Sequence, residues 1–359
     1  MMKVLFIVRS TLFNVRGGDT VQVMETAKAL EHLGVEVNIC KTNAKIDYKP
    51  YDFLHFFNIT RPADILLHIT RSHKKFVVST LLIDYTVYDK YNRHGLAGKI
   101  FTYLPSQSIE YLKTLARFIL KKDTLISKSY LWKGQYGSIK QILRKASCVF
   151  VHSEVEYNEL VELYGETLPF VIIQNGVDIG MFKYNNMFEK EHDMVVCAAR
   201  IEGIKNQYNL IKAINGTRYR LFLIGDPAPN QNGYYKKCKK IAKDNIIFVP
   251  HLSQNKLVNY YAKAKVHVLP SWFEICGLSS LEAAVMGCRV VITANGYAKE
   301  YFGESAYYCD PSDPTSIYNA ITSAAIATSG SSLKDDMASR FTWRQTAEKI
   351  LGAYKEYIK

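Results

Sequence analysis

Apolar residues in this chain fall into short continuous runs separated by stretches with helical spacing. KVLFIVRS (3–10) reads as a strand, and GGDTVQVMETAKALEHLG (17–34) as a helix that starts at Asp19 or Thr20 and is closed by Gly34. VEVNIC, DFLHFFN, KKFVVST, CVFVHS and FVIIQ repeat the apolar run. A second series follows with MVVCAAR, YRLFLIGD, NIIFVP, KVHVLPS and CRVVIT, again with helical stretches between. Apolar runs without alternation mark strands buried on both faces, and strands alternating with helices mark parallel sheets. The expected fold class is therefore α/β, with two doubly wound Rossmann-like domains. The join is placed near QNGVDIGMF, where Asn175-Gly176 interrupts the pattern, giving domains over 1–174 and 175–340.

The 359 residues suit two domains of roughly 150 to 180 residues each. An apolar content of 48% supports sizeable cores, and no low-complexity tract or internal repeat is present. Seven cysteines, odd in number and never spaced as CxxC, argue against a disulfide framework or a zinc site and for reduced thiols in a cytoplasmic protein. No run reaches the roughly 18 apolar residues of a membrane-spanning helix, and MMKVLFIVRS is too short and too soon polar for a signal peptide.

The formal charge of +13 changes this picture, because so large an excess attracts phosphates or an anionic surface. Residues 99–145 hold ten basic residues against two acids, a net of +8. Within them, IEYLKTLARFILKK places Ile109, Leu112, Leu115, Ala116 and Ile119 on one helical face and Lys113, Arg117 and Lys121 on another. Tyr103, Tyr111, Phe118, Tyr130 and Trp132 lie close by in sequence. Such a segment either lies on an anionic membrane or docks its apolar face on the core.

In sheets of this kind ligands gather at the carboxyl ends of the strands. After the first strand, Gly17-Gly18 permits close backbone approach to a ligand next to a helix start, although GxGxxG is absent. In VVCAARIEGIKNQ, Arg200 at a strand end and Lys205 before a helix are either a diphosphate cradle or two solvated cations. In SWFEICGLSSLEAAVMG, Glu274 falls in a strand-end loop and Glu282 about one turn into a helix that Ser279 or Ser280 is placed to cap. Two such carboxylates either accept hydrogen bonds from a polyhydroxyl ligand or serve as helix cap and solvated residue.

The order and spacing of these features resemble family 4 glycosyltransferases, the retaining GT-B group, across essentially the whole chain. The resemblance rests on Gly17-Gly18, Ser153 in VHSEVEYNEL, the NGVD turn (Asn175 to Asp178), Arg200 and Lys205, the two glutamates with seven residues between, and FTWRQTAEKILGAYKEYI at the end. It implies a nucleotide-diphosphate sugar, UDP- or GDP-linked, as donor in a cleft between the domains, with no cofactor. It implies that Arg200 and Lys205 contact the diphosphate, that Glu282 receives the ribose hydroxyls, and that Glu274 receives those of the transferred sugar. The amides of Gly277, Leu278 and Ser279 then complete the cradle, and Gly17-Gly18 closes over the phosphates. The final helix, from about 341 to 359, is expected to pack on the acceptor-binding first domain.

Hexosyl transfer with retention follows from the same resemblance, with the leaving phosphate helping to take the acceptor's proton, so Glu274 positions the sugar and is not a nucleophile. The absence of Asp-x-Asp, with Arg and Lys in its place, leads to an expectation of metal independence. The implied acceptor is a saccharide or polyprenyl-linked saccharide of O-antigen, lipopolysaccharide, capsule or similar surface polysaccharide assembly. That context favours docking of 99–145 on the inner face of the cytoplasmic membrane.

The sequence departs from the family at two places. Ile275-Cys276-Gly277 stands where many relatives have Gly-Phe-Gly, and a histidine common at a first-domain strand end has no clear match. Asp84, Thr80 and His94 are the acceptor-side candidates instead. A nucleotide-sugar epimerase of similar architecture would need an acid/base set that is not evident. A non-catalytic subunit would have lost the Arg, Lys and glutamates, and a nucleic-acid binder would carry a recognised motif.

Overall fold

The computed structural model describes residues 1–92, 101–120, 127–184, 189–327 and 332–358. The chain forms two compact units, Met1–Asn175 together with Trp343–Lys359, and Gly176–Thr342.

The first unit carries β1 (Lys3–Val8), α1 (Gly18–His32), β2 (Glu36–Lys41), β3 (Phe53–Phe57), α2 (Pro62–Ser72), β4 (Phe76–Ser79), α3 (Ser106–Ile119), α4 (Ser129–Lys145), β5 (Cys148–Val151), α5 (Glu154–Tyr164) and β6 (Phe170–Ile172). Its six strands are all parallel, in the order β2-β1-β3-β4-β5-β6. Every residue of β3, β4 and β5 is buried, which is why these strands read as apolar runs broken only by His55 and Ser79. Each fully buried Phe or Val there contributes about 1.5–3 kcal/mol.

The second unit runs β7 (Glu191–Ala198), α6 (Gln207–Ile214), β8 (Arg220–Ile224), α7 (Asn232–Ile241), β9 (Ile246–Val249), α8 (Gln254–Lys263), β10 (Ala264–Leu269), α9 (Leu278–Val285), β11 (Arg289–Thr293), α10 (Lys299–Phe302), β12 (Tyr307–Cys309), α11 (Pro314–Ile326) and α12 (Ser332–Arg340). The strand order is β12-β11-β10-β7-β8-β9, again all parallel. The expected α/β architecture with two doubly wound units is therefore observed. Winding proceeds from β7 to β8 and β9 on one side, then returns through β10 to β11 and β12 on the other. The β7/β10 boundary is the point of reversal, where the crossovers leave a crevice at the carboxyl edge.

The last helix, α13 (Trp343–Tyr357), belongs to the first unit. The Tyr354 hydroxyl lies 2.6 Å from His55 Nδ1 in β3, and His55 Nε2 lies 2.8 Å from the Ser79 hydroxyl. Burial pushes the His55 ring down to about 3, so it is neutral and serves as a hydrogen-bonding joint between helix and sheet. All seven cysteines are free thiols. No helix among the described residues is long and apolar enough to cross a membrane.

The basic segment departs from an ordinary docked helix. Of the apolar face expected on α3, only Ile109 is buried, whereas Ile119 is 73% exposed and Phe118 and Leu120 are also exposed. Tyr103 and Trp132 nearby in sequence are 89% and 92% exposed. Not all the cations are available to a partner. Lys113 pairs with Asp89 and Glu110, and Lys140 and Arg144 pair with Glu166. Lys99, Lys121 and Lys122 lie outside the described residues.

Candidate functional site

The second unit assembles its site from three loops that follow β7, β10 and β11. In the first, Arg200 pairs with Glu202 at 2.9 Å, and Lys205 ends a single tight turn over Gly203–Lys205. Asn206, in the left-handed region at φ 59, starts α6, and its side-chain amide donates to the carbonyls of Pro270 at 3.1 Å and Pro311 at 2.6 Å. The Trp272 amide donates to the Ile204 carbonyl at 3.0 Å. The loops after β7 and β10 are therefore joined by backbone and side-chain bonds on both sides of Lys205.

Across that joint, Lys205 Nζ donates to Glu274 Oε1 at 2.5 Å, with the two side chains only 20% and 8% exposed. This is a charge-assisted bond in a largely dehydrated place, where the interaction is stronger than at the surface. Glu274 is held by its backbone too: its amide donates to Asn295 O at 3.1 Å, and its carbonyl accepts from the Tyr297 amide at 2.9 Å. Between those two residues sits Gly296 at φ +103, where an added Cβ would lie 2.1 Å from the Glu274 carbonyl oxygen. The Asn-Gly pair of ANGY was the signal for this turn, but its partner lies twenty-odd residues earlier in the chain and is not visible from the spacing.

Gly277 is the N-cap of helix α9, and its φ of 64 and close neighbours, Ile292 Cδ1 and Ser280 Oγ near 3 Å from an added Cβ, both favour glycine. The expected serine cap is not formed. No side chain caps this helix, and the buried Ser280 hydroxyl lies 3.3 Å from His267 Nδ1 instead. The reason is register: Ser279 and Ser280 lie inside the first turn, two and three residues past Gly277, the position from which a side chain caps the helix. The amides of Leu278 and Ser279 are consequently left without a partner among the described residues, which is the arrangement an anion requires. Cys276 packs into the core of the unit, while the following amides stay at the helix start.

Glu282, also in α9, is 8% exposed. Gln254 Nε2 donates to its Oε1 at 2.9 Å, and the Tyr261 hydroxyl approaches Oε2 at 3.5 Å. Burial pushes this carboxyl up to about 7, with the Gln254 and Tyr261 hydrogen bonds opposing the rise. Gln254, a glutamine at the start of α8, gave no signal in the sequence.

In the first unit, Gly17 is the N-cap of α1, which starts at Gly18, one residue earlier than expected. The loop before it is fixed by Arg9, which donates to Asp19 at 2.6 Å, to the Thr11 hydroxyl at 2.7 Å and to the Val15 carbonyl at 2.7 Å. Asp84 is exposed and accepts from the Thr86 amide at 2.7 Å. Thr80 is fully buried, and its hydroxyl donates to Glu156. His94 lies outside the described residues. Ser153 caps α5 by accepting from the Glu156 amide at 3.1 Å.

Glu156 itself is fully buried and gathers Thr80 Oγ1, the Leu82 amide, the His152 amide and the His152 ring at 2.5 to 3.2 Å. It thereby ties the ends of β4 and β5 together around Leu81, which sits at φ 46. Burial alone would raise this carboxyl. The charge and hydrogen bonds of His152, with the bond from Thr80, outweigh it and hold Glu156 below the ordinary carboxylate range. A group with a depressed folded value stabilises the fold above its unfolded value and loses that contribution as the pH falls. Glu156→Gln, which turns an NH2 towards two of these donors, should cost about 3 kcal/mol at neutral pH. It should also flatten the loss of stability on acidification below about pH 4.5. Denaturant unfolding at pH 7 and pH 4 measures both effects, and an unchanged midpoint at pH 7 would contradict this assignment.

Residues 182–335 match the family model described as glycosyl transferases group 1. A D-inositol 3-phosphate glycosyltransferase from Acidothermus cellulolyticus is 25% identical over a 249-residue alignment that covers 60% of this chain. The chain spans 55% of the length of that relative. Sucrose-phosphate synthase from Thermosynechococcus elongatus superposes with a TM-score of 0.74 at 16% identity, covering 99% of both chains. Anabaena HepE in complex with UDP-glucose superposes with a TM-score of 0.69 at 16% identity, covering 99% of this chain and 100% of that one. These structural likenesses show a shared GT-B fold. The switch-point geometry and the matched residues coincide in the second unit, which over residues 182–335 is a glycosyl transferases group 1 domain.

Proposed function

We propose that this protein is a retaining glycosyltransferase of family 4 that moves a hexosyl group from a UDP- or GDP-linked sugar to a saccharide or polyprenyl-linked saccharide. The observation that carries the reading is the Lys205–Glu274 pair at the β7/β10 switch point, beside a helix start with open amides. Arg200 and Lys205 neutralise the charge that develops on the departing nucleotide diphosphate, and the amides of Gly277, Leu278 and Ser279 share that task. Glu274, with one oxygen held by Lys205, offers Oε2 to the hydroxyls of the sugar. Glu282 receives the ribose hydroxyls. The UDP-glucose bound to the structurally similar HepE supports a nucleotide-sugar donor.

Because Glu274 is bound to a lysine, it is a poor nucleophile, and attack from the leaving group's own face gives retention without a second carboxylate. Two cations at the diphosphate position make a divalent metal unnecessary in this account. The first unit takes the acceptor, with Asp84, the exposed carboxylate of the β4 loop, as the acceptor-side residue. Surface-polysaccharide assembly is the setting the sequence resemblance favours.

Incubation with UDP-, GDP- and ADP-sugars, with and without a lipid-linked saccharide, tests the reading by nucleotide release and by the anomeric configuration of the product. Acceptor-dependent release with retained configuration, unaffected by a metal chelator, is expected. Inverted configuration, or conversion of the donor to an epimer without transfer, would overturn it.

Tyr103, Phe118, Ile119, Leu120 and Trp132, each exposed and close in sequence to the cations of 99–145, are the apolar groups that would meet an anionic leaflet. Each Lys or Arg near such a surface contributes about 1 kcal/mol, and the exposed aromatic rings add interfacial contact. Binding to vesicles containing anionic lipid at low salt is expected to fall at least about tenfold when Ile119 and Trp132 are both replaced by serine. It should fall likewise when Arg117, Lys121 and Lys122 are neutralised. Binding by both sets of variants as strong as that of wild type would overturn the membrane reading.

A further inference from the structure

Gln254 and Tyr261 lie seven residues apart on α8, on one helical face, and both side chains are directed at Glu282 on α9. The Gln254 bond, at 2.9 Å, is the shorter of the two. Glu282 forms no ion pair among the described residues, in contrast to Glu274, whose charge is met by Lys205. Around it the ionisable groups are Tyr261 itself, Cys197 and Cys288 behind that ring, and His267, whose ring centroid lies 5.8 Å from that of Tyr261. Lys190 is spent on the carbonyls of Tyr261 and Met286 and on the Cys288 thiol. A buried carboxyl supported only by neutral donors depends on each of them for its orientation and its ionised state.

We infer that Gln254 is the positioning residue of the nucleotide subsite: its amide fixes the Glu282 carboxylate so that the carboxylate accepts the two vicinal hydroxyls of a ribose. The inference rests on the nucleotide-sugar reading above and extends it to a selectivity for ribose over deoxyribose. Without the Gln254 donor, Oε1 is buried and unpaired, and the carboxyl turns or takes up a proton. The diphosphate contacts, which come from Arg200, Lys205 and the start of α9, are untouched by the change.

The test is calorimetric titration of UDP, GDP and their 2′,3′-dideoxy forms into wild type, Gln254→Leu and Gln254→Arg between pH 6 and pH 8.5. Wild type should bind the ribose form better, and Gln254→Leu should weaken that form about tenfold, as loss of one bond to a charged group implies. The same variant should leave dideoxy binding unchanged. Gln254→Arg supplies a cationic donor, so the rise of affinity with pH should move to lower pH, whereas in Gln254→Leu it should move to higher pH. Steady-state turnover should show the Gln254→Leu effect in KM for the donor and not in kcat. Equal losses for ribose and dideoxy forms, or a wild-type pH profile in both variants, would overturn the role of Gln254. Failure of every nucleotide to bind wild type would instead overturn the reading on which it rests.

Discussion

Glu274→Gln is expected to lower kcat for glycosyl transfer by about 10³-fold while leaving nucleotide affinity within about threefold, a loss of the size seen when a preorganised electrostatic group is removed. The amide keeps the shape of the side chain and can still accept from Lys205, so the loop should keep its course. What disappears is the negative charge that pairs with Lys205 and that, in the proposed function, accepts from the sugar hydroxyls. Lys205→Ala acts differently, because it leaves a carboxylate that is only 8% exposed without its cation. That variant should be destabilised by about 2 kcal/mol and should also lose most of its activity. The two effects should not add: as members of one pair, the double variant should be hardly worse in kcat than the poorer single one. Steady-state kinetics with thermal unfolding of all three variants measures this, and full activity in either single variant would remove the pair from the chemistry.

Gly296→Ala carries the second large effect. The backbone at φ +103 is strained for any L-residue, and the new methyl would sit 2.1 Å from the Glu274 carbonyl oxygen, so the loop after β11 must move away from the loop after β10. A loss of roughly 3 kcal/mol or more in stability is expected. Molecules that still fold should bind the sugar poorly, because the two backbone bonds that fix Glu274 run to residues on either side of this glycine. Gly352→Ala, in the interior of α13 with nothing within 4 Å of the added methyl, is the control and should stabilise by about 1 kcal/mol. Denaturant titration distinguishes them, and similar midpoints for the two variants would contradict the assignment of close approach.

The strands were legible because parallel strands covered on both faces become unbroken apolar words such as VLFIV and LFLI, each bounded by polar residues. The exception is β12, three residues at the sheet edge in AYYCD, too short to show a period. The strand-end rule placed Arg200, Lys205 and Glu274 in loops at one edge of one sheet, and Glu282 in the helix that follows. It did not reveal that Lys205 and Glu274 touch, since 69 residues separate them and only the pairing of β7 with β10 brings the loops together. Residue preference points to a serine cap, whereas Gly277 takes that position on conformational grounds. Glu156 is one of several glutamates in EVEYNELVEL, and nothing local separates the fully buried one from its solvated neighbours. Exposure of the apolar face of α3 was likewise not legible, because an amphipathic pattern is the same whether a core, a membrane or water covers it.

The central claim is that the second unit holds a nucleotide diphosphate through the loop after β7 and the start of α9. Calorimetric titration of UDP and GDP into wild type, Lys205→Ala and Arg200→Ala tests it most directly. One site per chain is expected in wild type, with affinity reduced about tenfold or more in each variant, the loss expected for a charge-assisted phosphate contact. Absence of binding to wild type, or equal affinity in all three proteins, would contradict it.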